Sequence, residues 1–289
     1  MSDAGVIHDI GYQRYEGPRL GRPAVFGAIY QHGLRAAFGL GRSAKAKIFP
    51  WLVAGIVLLT AVINGAVKAQ TNGQIVLFDY FSFDDTMSWL VIFFVAIVAP
   101  ELVSRDMRSG VLPLYFSRPL RAFDYIGAKF VALATAVFLL LGVPQFIMFL
   151  FGAFTTDDGA KGVWNEFLDL APGWGYTLIW AVLFASISLL IASFTGKRAF
   201  AAGGIVAFFL MTAPVVGVLS ILPSTTANHL AGLASPMSLL VGVQSWLRGR
   251  NDLDLNIGDF GVVYGIEAFC LVAAALLLLL ARYRKVASL

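Results

Sequence analysis

The chain has 289 residues, 58% of them hydrophobic and only 13% charged, with a mean hydropathy of +0.79. A soluble domain carries about 25% charged residues, so composition excludes an ordinary water-soluble protein and points to a helical membrane protein. The formal net charge of +4 acts through where it sits, and one cysteine, Cys270, excludes an intrachain disulfide.

Residues 1–47 are polar, basic and glycine-rich, with no apolar core of a signal peptide. They are expected to form a cytoplasmic segment ahead of a membrane domain at 48–289. Within them, Ala24 to Leu40 is too short and too polar to cross. Val25, Ile29 and Phe38 suit one helical face, and Gln31, His32 and Arg35 mark a polar sector. The pattern predicts an amphipathic helix on the inner leaflet, with Arg42, Lys45 and Lys47 near lipid phosphates. Gly27, Gly33 and Gly39 work against it.

A helix needs about 20 apolar residues to cross roughly 30 Å of hydrocarbon. Six segments meet this: Ile48–Val67, Asp85–Val103, Tyr125–Phe154, Trp174–Phe194, Ala199–Leu222 and Phe260–Ala281. Their runs are continuous rather than alternating, which favours helices over a barrel. Between the fifth and sixth, Pro223 to Asp259 holds a moderately apolar stretch, Leu230 to Leu247, broken at Ser235-Pro236. It is expected to form an external re-entrant hairpin, because an odd number of extra crossings would put Arg282, Arg284 and Lys285 outside. The fold class expected is therefore an all-α integral membrane protein of six transmembrane helices.

Seventeen of the 21 Lys and Arg fall on one side of this layout, leaving Lys68, Lys161, Arg248 and Arg250 on the other. Both termini are thus expected in the cytoplasm. The opposite side is acidic and aromatic: Asp79, Asp84, Asp85, Asp157, Asp158, Glu166 and Asp169 stand beside Phe78, Tyr80, Phe81, Trp164 and Trp174. Two readings fit, an interfacial aromatic belt or a cation-attracting vestibule.

Motifs of bond-making chemistry are missing. The sequence has no phosphate loop, no HExxH, no GxSxG and only three scattered histidines. An enzyme is therefore not expected, nor a cofactor, a metal or a nucleic-acid partner of the chain's own. Two carboxylates stand out. To cross, the second span must extend through Glu101, where Arg105 lies four residues on along the same face. The pair either anchors the helix end or latches the span to the following loop. Glu267, three residues after Tyr264, sits inside the last span as either a path-lining or a packing acid.

The loop after the second span carries a resemblance. It reads Glu101, Arg105-Asp106, Arg108, Gly110, Val111-Leu112-Pro113-Leu114, Ser117-Arg118-Pro119, Arg121 and Tyr125-Ile126-Gly127-Ala128-Lys129. This resembles the permease subunit of ABC-2-type exporters, as do the six-span layout, the amphipathic N-terminal helix and Ser235 to Leu240. Asp106 and Val111 depart from the Glu and the hydroxyl common there, and the extended N-terminus resembles actinobacterial members. The resemblance implies an ATP-driven exporter in a bacterial plasma membrane. A separate cytoplasmic ATPase would supply ATP and Mg, and a second permease copy or a paralogue would complete the path. Residues 104–122 would be the coupling segment, through Arg105, Asp106, Arg108, Gly110, Arg118, Pro119 and Arg121. A proton-coupled secondary transporter built on Glu267 and a non-transporting, ABC-linked membrane anchor are the alternatives.

Overall fold

The computed structural model describes residues 17, 21–71, 73–110, 120–249 and 255–287, and every regular element among them is helical. In chain order these are α1 (Arg22–Ala37), α2 (Ala44–Gln70), α3 (Tyr80–Thr86), α4 (Ser88–Leu102), α5 (Ser104–Arg108) and α6 (Ala122–Thr155). There follow α7 (Gly159–Ser193), α8 (Arg198–Ser220), α9 (Thr225–Leu230), a 3₁₀ turn at Ala231–Ala234, α10 (Pro236–Arg248) and α11 (Gly261–Ala287).

Five helices, α2, α6, α7, α8 and α11, are long and apolar enough to cross a membrane. They match five of the six expected spans. The sixth, Asp85 to Val103, is met by a bent pair: α3 and the helix that follows it turn by 57°. The break falls at Met87, which caps α3 and starts α4 at once. Pro100 removes one backbone donor near the other end of α4, and the helix restarts at Ser104 as α5. The segment expected to form a hairpin is a second bent pair, turning by 117° at Ser235. Pro236 opens α10 there as its first residue, the place where a missing N–H costs least.

The fourth span is longer than its sequence suggested. Trp174 to Phe194 was expected to cross, but α7 begins at Gly159 and runs unbroken through Pro172 for 35 residues. At 1.5 Å per residue it measures about 50 Å, well beyond the hydrocarbon. The antiparallel α6 has 34 residues, so the α6–α7 hairpin continues past the apolar layer, where Lys68 bonds Glu166.

Burial separates an interior from a rim. More than half of the apolar windows of α6 and α7 are buried, against 22% for α2 and α11 and 11% for α8. The helix α4 is buried along most of its length. The exposed apolar faces of the rim helices are the surface that lipid covers. Packing across the interior is aromatic: Trp180 stacks on Phe184 at 4.6 Å, and Phe184 on Phe209 of α8 at 4.5 Å.

The predicted amphipathic helix is α1, which packs against α6 and α4. Val25, Ile29 and Phe38 lie against the core as their spacing predicted. Gly33, counted against the helix, has a structural reason: a Cβ there would lie 2.9 Å from Ala132 of α6. The glycine permits that close approach.

Candidate functional site

The charged segment that drew notice in the sequence begins at an ionic hub. Glu101, on the last turn of α4, has a side chain only 10% exposed and meets three guanidinium groups. Arg105 lies 2.9 Å away, as the four-residue spacing predicted. Arg42, from the α1–α2 connection, sits at 2.5 Å, and Arg198, the first residue of α8, at 2.7 Å. One carboxylate so near an apolar layer is costly without partners. Here it ties α4 and α5 to the starts of two rim helices. The sequence pointed to Arg105; Arg42 and Arg198 were visible only as members of the basic side.

Asp106 anchors the segment a second time. Its Oδ2 lies 2.8 Å from Lys129 Nζ, whose side chain is 5% exposed, and accepts a 2.8 Å bond from the Tyr125 hydroxyl. Both partners are on α6, and the Tyr125 ring packs on Tyr283 of α11 at 5.4 Å. Asp106 belongs to the expected partner-facing set, and in the fold its carboxylate bonds two residues of α6 and so attaches α5 to that helix. Arg22 forms a forked pair with Asp124 at the start of α6, with contacts of 2.7 and 2.9 Å.

The end of α7 completes the platform. The last carbonyls of a helix lack partners within it. Ser104 Oγ donates to the Ala192 carbonyl at 2.7 Å, and Arg282 Nε donates to the Ser193 carbonyl at 2.8 Å. The cation also suits the negative end of the helix dipole. Thus α5 is attached to α4, α6 and α7 by polar bonds, while Glu101 links α4 to Arg198 of α8. Arg105, Arg108, Gly110 and Arg121 remain exposed on the outer side. Gly110 has φ of +65°, a conformation that favours glycine and turns the chain as it leaves α5. Arg118 and Pro119 lie outside the described residues. What the arrangement supplies is ionic cross-linking of helix ends beneath an exposed basic surface.

Glu267 and Tyr264 do not act together. The Tyr264 hydroxyl is buried and donates to the His229 carbonyl at 2.7 Å, fastening α11 to α9. Its ring packs against Gly232 and Gly242. Glu267 is half-buried and forms no hydrogen bond or ion pair with the described residues.

A second buried acid, not singled out in the sequence, lies at the α3–α4 bend. Asp84 is wholly buried, although its neighbours placed it with the external acids. Gln145 Nε2 donates to its Oδ1 at 2.7 Å, and the Thr177 hydroxyl lies 2.6 Å from its Oδ2. Gln145 also donates to the Tyr80 carbonyl at 2.9 Å. Next to it, Asp85 accepts from Tyr176 at 2.7 Å. The network joins α3 to α6 and α7 across the break. The signal was present: Gln145 and Thr177 are polar residues inside apolar spans, where polar side chains seek one another.

At this end Asp79 caps α3, accepting from the Ser82 amide at 2.7 Å, and pairs with Arg248 of α10 at 2.8 Å. Burial pushes its carboxyl upward, but the Ser82 bonds and the Arg248 guanidinium outweigh that and hold it below its ordinary value.

No protein-family model matches this chain, and no curated protein is similar to it at a significant level.

Proposed function

We propose that this chain is the permease subunit of an ATP-driven exporter, moved by a separate cytoplasmic ATPase that grips residues 104–122. The observation that carries the reading is the double attachment of α5. Glu101 of α4 holds Arg105 of α5 together with Arg42 ahead of α2 and Arg198 of α8, and Asp106 fastens α5 to α6. A partner that displaces this short helix moves four membrane helices at once, because packed helix ends shift as rigid bodies. The exposed Arg105, Arg108 and Arg121 give such a partner a basic surface to hold. The likeness of the loop to ABC-2 permeases agrees with this use.

On this reading the α3–α5 pair is one bent span, making six with the five long helices. The α9–α10 pair is the external re-entrant hairpin, since a 117° turn returns the chain to its starting side. Both termini then face the cytoplasm of a bacterial cell, on the side where 17 of the 21 Lys and Arg lie. A second permease copy or paralogue completes the path, and the ATP and Mg belong to the ATPase.

The test is copurification with the ATPase, followed by substrate-stimulated ATP hydrolysis in vesicles. Replacing both Arg118 and Arg121 by Glu should abolish association or uncouple hydrolysis. Undiminished binding and coupling in that double variant would refute the assigned surface. ATPase stimulation with no movement of any substrate would favour the anchor alternative.

A further inference from the structure

A cleft of about 560 Å³ lies at the end of the bundle away from the Glu101 hub, bounded by α2, α3, α6, α7 and α10. Its size falls within the roughly 300–1,000 Å³ of small-molecule sites. Its wall holds five charged side chains. Lys68 pairs with Glu166 at 2.5 Å, and Arg248 pairs with Asp79 at 2.8 Å. Those four cancel. The fifth, Asp169, forms no hydrogen bond or ion pair with the described residues. It stands one helical turn from Glu166, so both carboxylates share the face of α7 that lines the cleft. Gly152 keeps room for the ion pair, because a Cβ there would lie 2.5 Å from the Glu166 carboxylate.

The remaining lining is aromatic and apolar. Phe78, Tyr80 and Phe81 form one wall, and the Arg248 guanidinium already lies 5.2 Å over the Phe81 ring. Such ring faces attract cations. At the lip, Leu168 and Leu247 are each 51% exposed, which makes the entrance apolar. An anion entering here would meet two cations already neutralised and one free carboxylate.

We propose that this cleft binds a lipophilic organic cation, its charge against Asp169 and its apolar body against the aromatic wall and the leucine lip. That chemistry belongs equally to a free quaternary cation and to an amine-bearing lipid headgroup. The site itself does not depend on the exporter reading; that its occupant is the transported substrate does.

The test uses the purified full-length permease in neutral dodecyl maltoside, without ATPase or nucleotide, so its outcome is separate from that of the coupling experiment. Equilibrium dialysis compares tetraphenylphosphonium with tetraphenylborate, two probes of one shape and opposite charge. Saturable phosphonium binding is expected, with none of the borate. Asp169→Asn should weaken it about tenfold, or about 1.4 kcal/mol, and Leu168→Arg should abolish it. Asp169 is exposed and holds no bond in the fold, so its Asn variant should fold as the parent does, and the borate comparison needs no variant. Displacement by dihexanoyl phosphatidylethanolamine would assign the site to a lipid amine; lack of displacement, to a free cation. Equal binding of both probes, unsaturable phosphonium uptake, or full affinity in Asp169→Asn would each overturn the proposal.

Discussion

Replacing Glu101 by Gln keeps the shape of the hub and removes the negative charge that its three guanidinium groups share. Its contacts differ in depth. The Arg42 side chain is 23% exposed, whereas Arg105 and Arg198 are about half exposed. The more enclosed Arg42 ion pair is taken as worth about 1.5–3 kcal/mol, and exposed pairs about 0.2–1 kcal/mol each. The loss expected is therefore about 2–5 kcal/mol, most of it from Arg42. Unfolding by SDS in mixed micelles, followed through the six tryptophans, reads it directly. Two controls locate the energy. In 1 M salt, where the Debye length is about 3 Å, the contributions of Arg105 and Arg198 should shrink and that of Arg42 should persist. In a double-mutant cycle, Glu101→Gln with Arg42→Gln should cost at least about 1 kcal/mol less than the two changes added. Additive costs, or a Glu101→Gln protein within about 0.5 kcal/mol of the parent, would refute the view that this carboxylate holds the helix ends together.

Three further outcomes are expected. Gly242→Ala would place a Cβ 2.1 Å from the Tyr264 ring, costing about 1–3 kcal/mol by overpacking, and Tyr264→Ala in the same chain should recover part of that loss in the SDS assay. Asp84→Asn should be nearly neutral, since an amide can still accept from Gln145 and donate to Thr177. Asp84→Ala should cost about 1–3 kcal/mol, because it leaves one buried Gln145 N–H without its acceptor and opens a void. Asp79 has a folded pKa below its ordinary 3.8, so its contribution is present above that value and fades as pH falls through the lower folded one. Acid unfolding below about pH 4 should lose this component in Asp79→Asn, by no more than about 1 kcal/mol because the side chain is 42% exposed; an unchanged profile would count against the Asp79–Arg248 pair.

Much of the candidate site was legible locally. Glu101 with Arg105 is a four-residue spacing on one helix, and geometry alone brings the two together. The break at Ser235-Pro236 was equally readable, because proline ends one helix and opens another. Asp84 misled because its neighbours Asp79 and Asp85 belong to a polar stretch. Only the 57° bend turns it inward toward Gln145 and Thr177, which lie 61 and 93 residues away in sequence. The length of α7 was missed because its first turns are polar, and hydropathy measures the apolar layer rather than the helix.

Composition and periodicity by themselves determined the class of this protein, since a run of about 20 apolar residues has few stable homes other than a membrane helix. They also determined which end of each span is basic. Tertiary structure alone decided the partners of the charges. Arg42 and Arg198 reach Glu101, Lys129 reaches Asp106, and Asp169 is left facing a cleft. Hydropathy and helical period act over one or two turns, whereas an ion pair between helices depends on how whole helices pack and rotate, which no local pattern encodes.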